Sequence, residues 1–294
     1  MQKILFLHQI LDMKIRLVGF AILLFFSFQA WSQFINTYPQ INGQGGAGVA
    51  DISHTYIDVN PAVAAWCEDP TLHTNYFAHF LFTEISDENI TFIYPLKNKQ
   101  GTFAGELLYT GFSALHTMGM KVNFAKQFGD KFSLGLNFDY FQLATDQEYY
   151  GRKNSFTFEA GAQYKLNEKL VLGTYLFNPI QPKLSVITNE RIPFVFVTGA
   201  VYHFNDNFVL LADIKKIQKQ EPTGHVGFRY SFSSKVQLQT GTSLNPLGIH
   251  AGSIFILPKL HLSWSLQYQP ILGFSSGIGI MYSFNRQSKS SSYE

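Results

Sequence analysis

Through most of the chain, large apolar residues occupy every second position. In 132–140, Phe132, Leu134, Leu136, Phe138 and Tyr140 alternate with Ser133, Gly135, Asn137 and Asp139. In 156–166, Phe156, Phe158, Ala160, Ala162, Tyr164 and Leu166 alternate with Thr157, Glu159, Gly161, Gln163 and Lys165. Near the end, Leu260, Leu262, Trp264, Leu266 and Tyr268 alternate with His261, Ser263, Ser265 and Gln267. A period of two puts each set on one face of a strand. The pattern predicts fourteen strands, at about 72–82, 89–96, 102–111, 115–126, 132–144, 154–166, 169–178, 192–204, 207–217, 223–232, 235–244, 248–257, 260–270 and 273–284. The tight turns 128–132, 166–170, 204–208, 232–236 and 257–260 all fall after even strands and so at one end, where Phe128, Phe132, Phe204, Phe208 and Phe232 flank them. The longer connections 145–153 and 179–191 fall at the other.

Alternation alone does not separate a soluble β-sandwich from a membrane barrel, since both sort the same residues to the same two sides. Composition and strand count decide. Charged residues make up only 14% of the chain and aromatics 16%, a surface that aggregates in water but suits lipid. The net charge of +2 is too small and too scattered for a nucleic-acid surface. No stretch after residue 33 reaches the roughly 18 apolar residues a membrane helix needs, so a membrane-embedded chain must close into a barrel. An even number of strands fits a bacterial barrel with short periplasmic turns. The expected fold is all-β, a transmembrane antiparallel up-and-down barrel of about fourteen strands.

The N-terminus carries an export signature. Met13-Lys14-Ile15-Arg16 precedes the apolar run Leu17–Phe28, and Ala30 and Ser32 are small residues ahead of a cleavage site before Gln33. Residues 1–32 are expected to be a signal peptide, with Met13 as an alternative start. The mature chain has one cysteine, Cys67, and so no internal disulfide. The last strand ends Gly279-Ile280-Met281-Tyr282-Ser283-Phe284, similar to the C-terminal signal read by outer-membrane assembly machinery. The bacterial outer membrane is the expected location, with its lipid and lipopolysaccharide as partners. Residues 285–294 form a polar tail.

Gly43, Gly45 and Gly48 spell G-x-G-x-x-G, with Glu68 and Asp69 about twenty residues on. A dinucleotide site needs a strand before these glycines and a helix after them. Tyr38-Pro39-Gln40 precedes and the β-branched, proline-ended 49–61 follows, so the glycines are assigned to tight turns or close backbone approach. The run Gly45-Gly46-Ala47-Gly48-Val49-Ala50, followed by Asn60-Pro61-Ala62 just before the first strand, resembles the N-terminal segment of the FadL-like outer-membrane family, which includes the PorV and PorQ type of type IX secretion systems. That family motif often continues with Gly-Leu, where this chain has Val63-Ala64. The resemblance implies a fourteen-stranded barrel with residues 33–71 as a plug in the periplasmic mouth, built on Gly45, Gly46, Gly48, Asn60, Pro61 and Ala62.

Strand parity turns Glu106, Lys121, Asp139, Glu159, Lys165, Asp213, Lys215 and Arg229 inward. A lining of both signs suits either a narrow aqueous passage or an ion-pair network that closes the barrel. Lys215, Lys216 and Lys219 cluster at the outer end of the ninth strand, where lipopolysaccharide phosphates would meet them. Gly273-Phe274-Ser275-Ser276-Gly277 fits the G-x-S-x-G of hydrolases, with His250 and His261 on nearby strands, but it opens a strand and not a strand-to-helix elbow. His54, His73, His79, His116, His203 and His225 lack metal-ligand spacing, and neither cofactor nor metal is expected. The resemblance then implies a non-enzymatic barrel of the PorV/PorQ type that binds partner proteins, a reading favoured by short outer loops. The alternative is a FadL-like channel for hydrophobic solutes, and the remote one an outer-membrane lipase.

Overall fold

A computed structural model describes residues 37–145, 152–182 and 191–284. The expected signal peptide, the polar tail and most of the 145–153 and 179–191 connections lie outside these residues. Fourteen antiparallel strands close into one barrel: β1 (Thr71–Ala78), β2 (Ser86–Pro95), β3 (Thr102–Phe112), β4 (Leu115–Phe128), β5 (Phe132–Thr145), β6 (Arg152–Lys165), β7 (Leu170–Phe177), β8 (Val195–His203), β9 (Phe208–Ile217), β10 (Thr223–Ser233), β11 (Val236–Leu244), β12 (Gly248–Ile256), β13 (Leu260–Gln269) and β14 (Gly273–Ser283). Each strand pairs with its sequence neighbours, and β1 meets β14 from Thr71↔Ser283 to Ala78↔Ser276. Closure leaves no sheet edge facing lipid.

The outward set is the lipid surface. Phe138, Trp264 and Tyr164 stand 63%, 42% and 40% exposed, which excludes two stacked sheets with these rings between them. Aromatic pairs mark both rims, with Phe103–Phe124, Phe204–Phe208 and Tyr282–Phe284 toward the short-turn end and Tyr140–Phe156 and Tyr268–Phe274 toward the other. Such belts seat amphipathic rings at the membrane–water boundary.

Three boundaries differ from the alternation by three residues or more. β2 begins early, at Ser86. The expected first strand runs to 82, yet β1 stops at Ala78, because residues His79–Leu81 form a 3-10 turn with Phe80 and Leu81 at φ 56° and 57°. The apolar run 77–82 reads as strand but folds over the rim. The eighth strand begins at Val195, three residues late, after Pro193, whose ring nitrogen cannot donate to a ladder. Below that point β7 and β6 pair from Glu159↔Phe177 to Lys165↔Val171. Asn178 continues the seam: its backbone N–H donates to Phe158 O (3.2 Å) and its side chain to Ile192 O (2.7 Å).

Phe138 sits at mid-strand on the lipid face. Phe138→Arg is expected to lower the unfolding free energy by about 2–4 kcal/mol, read from denaturant unfolding in lipid vesicles; an unchanged midpoint would show that this face does not meet hydrocarbon.

Candidate functional site

Inward-facing glycines determine what the lumen can hold. Gly135 (β5), Gly161 (β6), Gly173 (β7), Gly227 (β10), Gly241 (β11) and Gly252 (β12) each lie so close to the segment 43–62 that a Cβ at any of them would overlap its atoms. Residues 43–62 therefore lie against the inner wall, in places backbone against backbone. Two short helices shape this plug: α1 (Pro39–Gly43), packed on β12, β13 and β14, and a 3-10 helix (Pro61–Trp66), packed on β4, β5 and β6. Gly45 and Gly46 take φ of 76° and 83° and carry the chain past β10 and β11, a course L-residues rarely follow.

Backbone groups of a segment inside a barrel need partners from the wall. Asp213 supplies one set, its Oδ2 accepting from Gly48 N (2.7 Å) and Val49 N (2.9 Å), a small anion nest filled by a carboxylate. Asn60 supplies another: its Oδ1 accepts from Ala62 N (3.0 Å), capping the 3-10 helix that Pro61 opens, while its Nδ2 donates to Val49 O (2.7 Å). Gln163 also donates to Val49 O (3.1 Å) and accepts from Trp66 Nε1 (2.9 Å). His225 meets Gly45 O at 2.8 Å. The G-x-G-x-x-G residues thus serve wall contact, not phosphate binding.

Charge fastens the plug at two points. The Arg229 guanidinium pairs with Asp51 (Nη1–Oδ2 2.6 Å), both almost wholly buried. Burial pushes the Asp51 carboxyl up, but Arg229 and His54 together hold it below the usual carboxylate range. Burial lowers His54, whose Nδ1 accepts from Tyr56 N (3.1 Å), leaving Nε2–H for Gly48 O (3.1 Å) in the neutral ring. At the second point, Lys121 Nζ lies 2.5 Å from Asp58 and 2.7 Å from Glu159. Tyr38 bridges Asp58 (2.8 Å) and Glu106 (2.9 Å), and burial followed by those two carboxylates raises its hydroxyl well above the ordinary value. Asp139 stands opposite Lys121 in the β4–β5 register, 3% exposed, with neither oxygen hydrogen-bonded among the described residues.

The other inward charges lie apart. Lys165 sits near the short-turn rim with its amine 3.9 Å from the Trp66 ring centre. Lys215 and Lys216 cannot share one outer patch, because the period of two puts Lys215 on the inward side of β9 and Lys216 outside, where its amine donates to Gln220 O. Lys219 is exposed in the turn that follows. The expected three-lysine cluster is corrected to Lys216 and Lys219. Ser275 accepts from Phe80 N (2.9 Å) and faces Gln267 across the ladder, whereas His250 meets a different serine, Ser243 (3.2 Å), outside the G-x-S-x-G run. Among the described residues, no group of three or more His, Cys, Asp or Glu is placed to hold a metal ion.

One feature escaped the sequence reading. Apart from Asp213 and Lys215 on β9, His203 on β8 and two glycines, the inward positions of β7, β8 and β9 are apolar, and Val171, Tyr175, Phe177, Val195, Val201, Val209 and Leu211 form one buried cluster with Phe141, Leu108 and Ile192. Val197 and Ile217 flank it, and the plug residues Ala47, Val49 and Ala50 lie on it. The stripe runs from Phe177 and Val195 at the loop end to Val171 and Val201 toward the short turns, while neighbouring strands present Asn, Ser, Thr, Gln and charge. Apolar residues at both parities, as in 195–197 and 208–211, were the available signal.

Arg229→Met leaves the Asp51 charge buried and unpaired, an expected loss of about 3–5 kcal/mol. Most of it should return in Asp51→Asn/Arg229→Met, and denaturant unfolding of the single and double variants measures this. His54 gives docking a pH dependence of definite sign. Its folded value lies below the ordinary 6.5, so a released plug binds more protons in that interval and docking weakens as pH falls below about 6.5. Protease sensitivity of segment 37–70 should rise in that window, and His54→Gln should lessen the slope, the remainder belonging to His73 and His225, which also meet plug carbonyls.

No protein-family model matches the sequence. No curated protein matches it either. Solved structures do. The Ralstonia pickettii toluene transporter TbuX superposes with a TM-score of 0.65 at 12% identity over 85% of this chain and 99% of its own. The CymD monoaromatic hydrocarbon channel gives 0.64 at 13%, over 85% and 98%. A Pseudomonas aeruginosa FadL homologue gives 0.62 at 13%, over 84% and 98%. At such identities the likeness is one of fold: the chain is similar to these barrels in its closed fourteen-stranded architecture.

Proposed function

We infer that the protein is an outer-membrane channel for small neutral hydrophobic solutes, short turns toward the periplasm and the 178–194 connection toward the outside. The apolar stripe on β7–β9 carries this reading. A lumen that only held water would be polar at those positions, as it is on the flanking strands β6 and β10. A strip of Val, Leu, Tyr and Phe, crossed at Gly199 by the Asp213 carboxylate, offers an apolar molecule a largely apolar environment at about 25 cal/mol per Å² of contact. Structures with this fold include a toluene transporter and a monoaromatic hydrocarbon channel, in support of the same solute class.

The plug residues Ala47, Val49 and Ala50 rest on the stripe, so passage requires this strap to shift while Asp213, Arg229 and Asn60 keep the rest of the plug in place. Lys216 and Lys219, at the outer end of β9, suit lipid phosphates of the outer leaflet. The secretion-associated reading rests on the 45–62 motif, and the stripe has no role in it. A lipase would need a base beside Ser275, whose hydroxyl instead accepts a backbone N–H.

Val197 is half-buried beside the stripe, opposite Lys215 in the β8–β9 register. Expressed in a host with an intact lipopolysaccharide leaflet, the barrel should raise uptake of radiolabelled toluene, and Val197→Asn, which adds polarity without a charge for Lys215 to pair with, should cut the gain about tenfold while the folded band in unheated gels is kept. Equal uptake by the variant, or no gain with the parent, would refute the channel.

A further inference from the structure

The stripe does not end inside the barrel. At its short-turn end the partly buried plug residue Ile52 packs against it and also lines two cavities in the mouth, one of about 810 Å³ and one of about 350 Å³. The larger cavity is also lined by Ala65 and Cys67, which pack against a second apolar cluster of Ile57, Ala64, Ile93, Ala104 and Ala125. Ile52, Ala65 and Cys67 therefore give it an apolar roof, while Asn98, Thr102, Gln127 and five charged residues make the rest of the lining polar. The charged residues around it, Lys97, Lys99, Glu68, Asp130 and Lys165, are of mixed sign, and Lys99 and Asp130 already pair at 3.6 Å. Trp66 stands in the wall, its indole pinned by Nε1–H donation to Gln163 (2.9 Å) and by the Lys165 amine over its ring.

Resting on the channel reading, we propose that this mouth cavity is a binding site for a neutral aromatic or similarly flat apolar solute leaving the stripe, with Ile52 as the partition between stripe and cavity and Trp66 as the surface on which the solute rests. The volume falls in the range of small-molecule sites, and an apolar roof with a fixed indole matches the usual make-up of such sites. Lys97, Lys99 and Lys165 against Glu68 and Asp130 leave the rim one positive charge in excess, so an anion is the competitor that tests the neutral class. A solute that reaches Val171 and Val201 has Ile52 as the apolar link to the mouth, since Ile52 touches the stripe and borders the space beyond it.

The chain has three tryptophans, so the full-length Trp31→Phe/Trp264→Phe protein, folded in detergent, reports from Trp66 alone. Nitrobenzene, a neutral quencher, should lower its emission saturably, toluene should compete, and benzoate should not. Ile52→Asp should raise the half-saturating concentration about tenfold, and Ala65→Leu, which fills the roof without adding charge, should do the same if Ile52→Asp misfolds. Linear, non-saturating quenching overturns the site, and benzoate competing as well as toluene overturns its neutral class. Toluene uptake without saturable Trp66 quenching removes the exit site and leaves the channel standing. Saturable quenching without uptake removes the channel and leaves the site.

Discussion

A backbone amide in hydrocarbon has no water to bond, and every feature of this chain follows from meeting that constraint with strands. Fourteen strands joined edge to edge satisfy the ladder everywhere that lipid touches it. Parity then leaves no freedom. Once Leu134, Leu136 and Phe138 face lipid, Ser133, Gly135, Asn137 and Asp139 must face the lumen, and what fills the lumen is decided by their size and charge.

The lumen is filled by the chain's own N-terminal segment, and glycines on the wall make that possible. Asn60 and Pro61 sit where Gly135 and Gly161 have no side chain, and Gln44 and Gly45 where Gly227 and Gly241 have none. The charge pairs across this contact, Arg229–Asp51 and Lys121–Asp58, are costly to desolvate and add little net stability over apolar packing. Their value is in register. A plug shifted by one residue would leave Arg229 buried without its carboxylate and would break Lys121–Asp58, though Lys121 keeps Glu159 on the wall, and that penalty selects a single docked arrangement.

Much of this was legible in the residues, and the misses have physical causes. Strand positions followed from alternation, and the short hairpins at 129–131, 166–169 and 204–207 from their turn residues. The ends of β1 and β8 were not legible, because the run 77–82 stays apolar while its backbone turns at Phe80, and Pro193 delays pairing within an extended stretch. The Gly-rich and Asn-Pro-Ala motifs pointed to residues that touch the wall. Their partners could not be read, since Arg229 lies 178 residues from Asp51 and Asp213 165 from Gly48. Asp51, Asp58 and Tyr38 passed unnoticed for the same reason: a single acidic or phenolic residue in a loop gains meaning only from the strand it meets. The stripe was visible as apolar residues at both parities of β7–β9, but attention to alternation hides the strands that break it.

The account's central claim is a barrel closed to ions by its stitched plug yet lined on one side by an apolar route. Single-channel current across a planar bilayer at neutral pH tests this most directly. The account predicts a baseline without steady ohmic steps when the folded barrel inserts. A persistent ohmic conductance, of the size a water-filled pore carries, would contradict it.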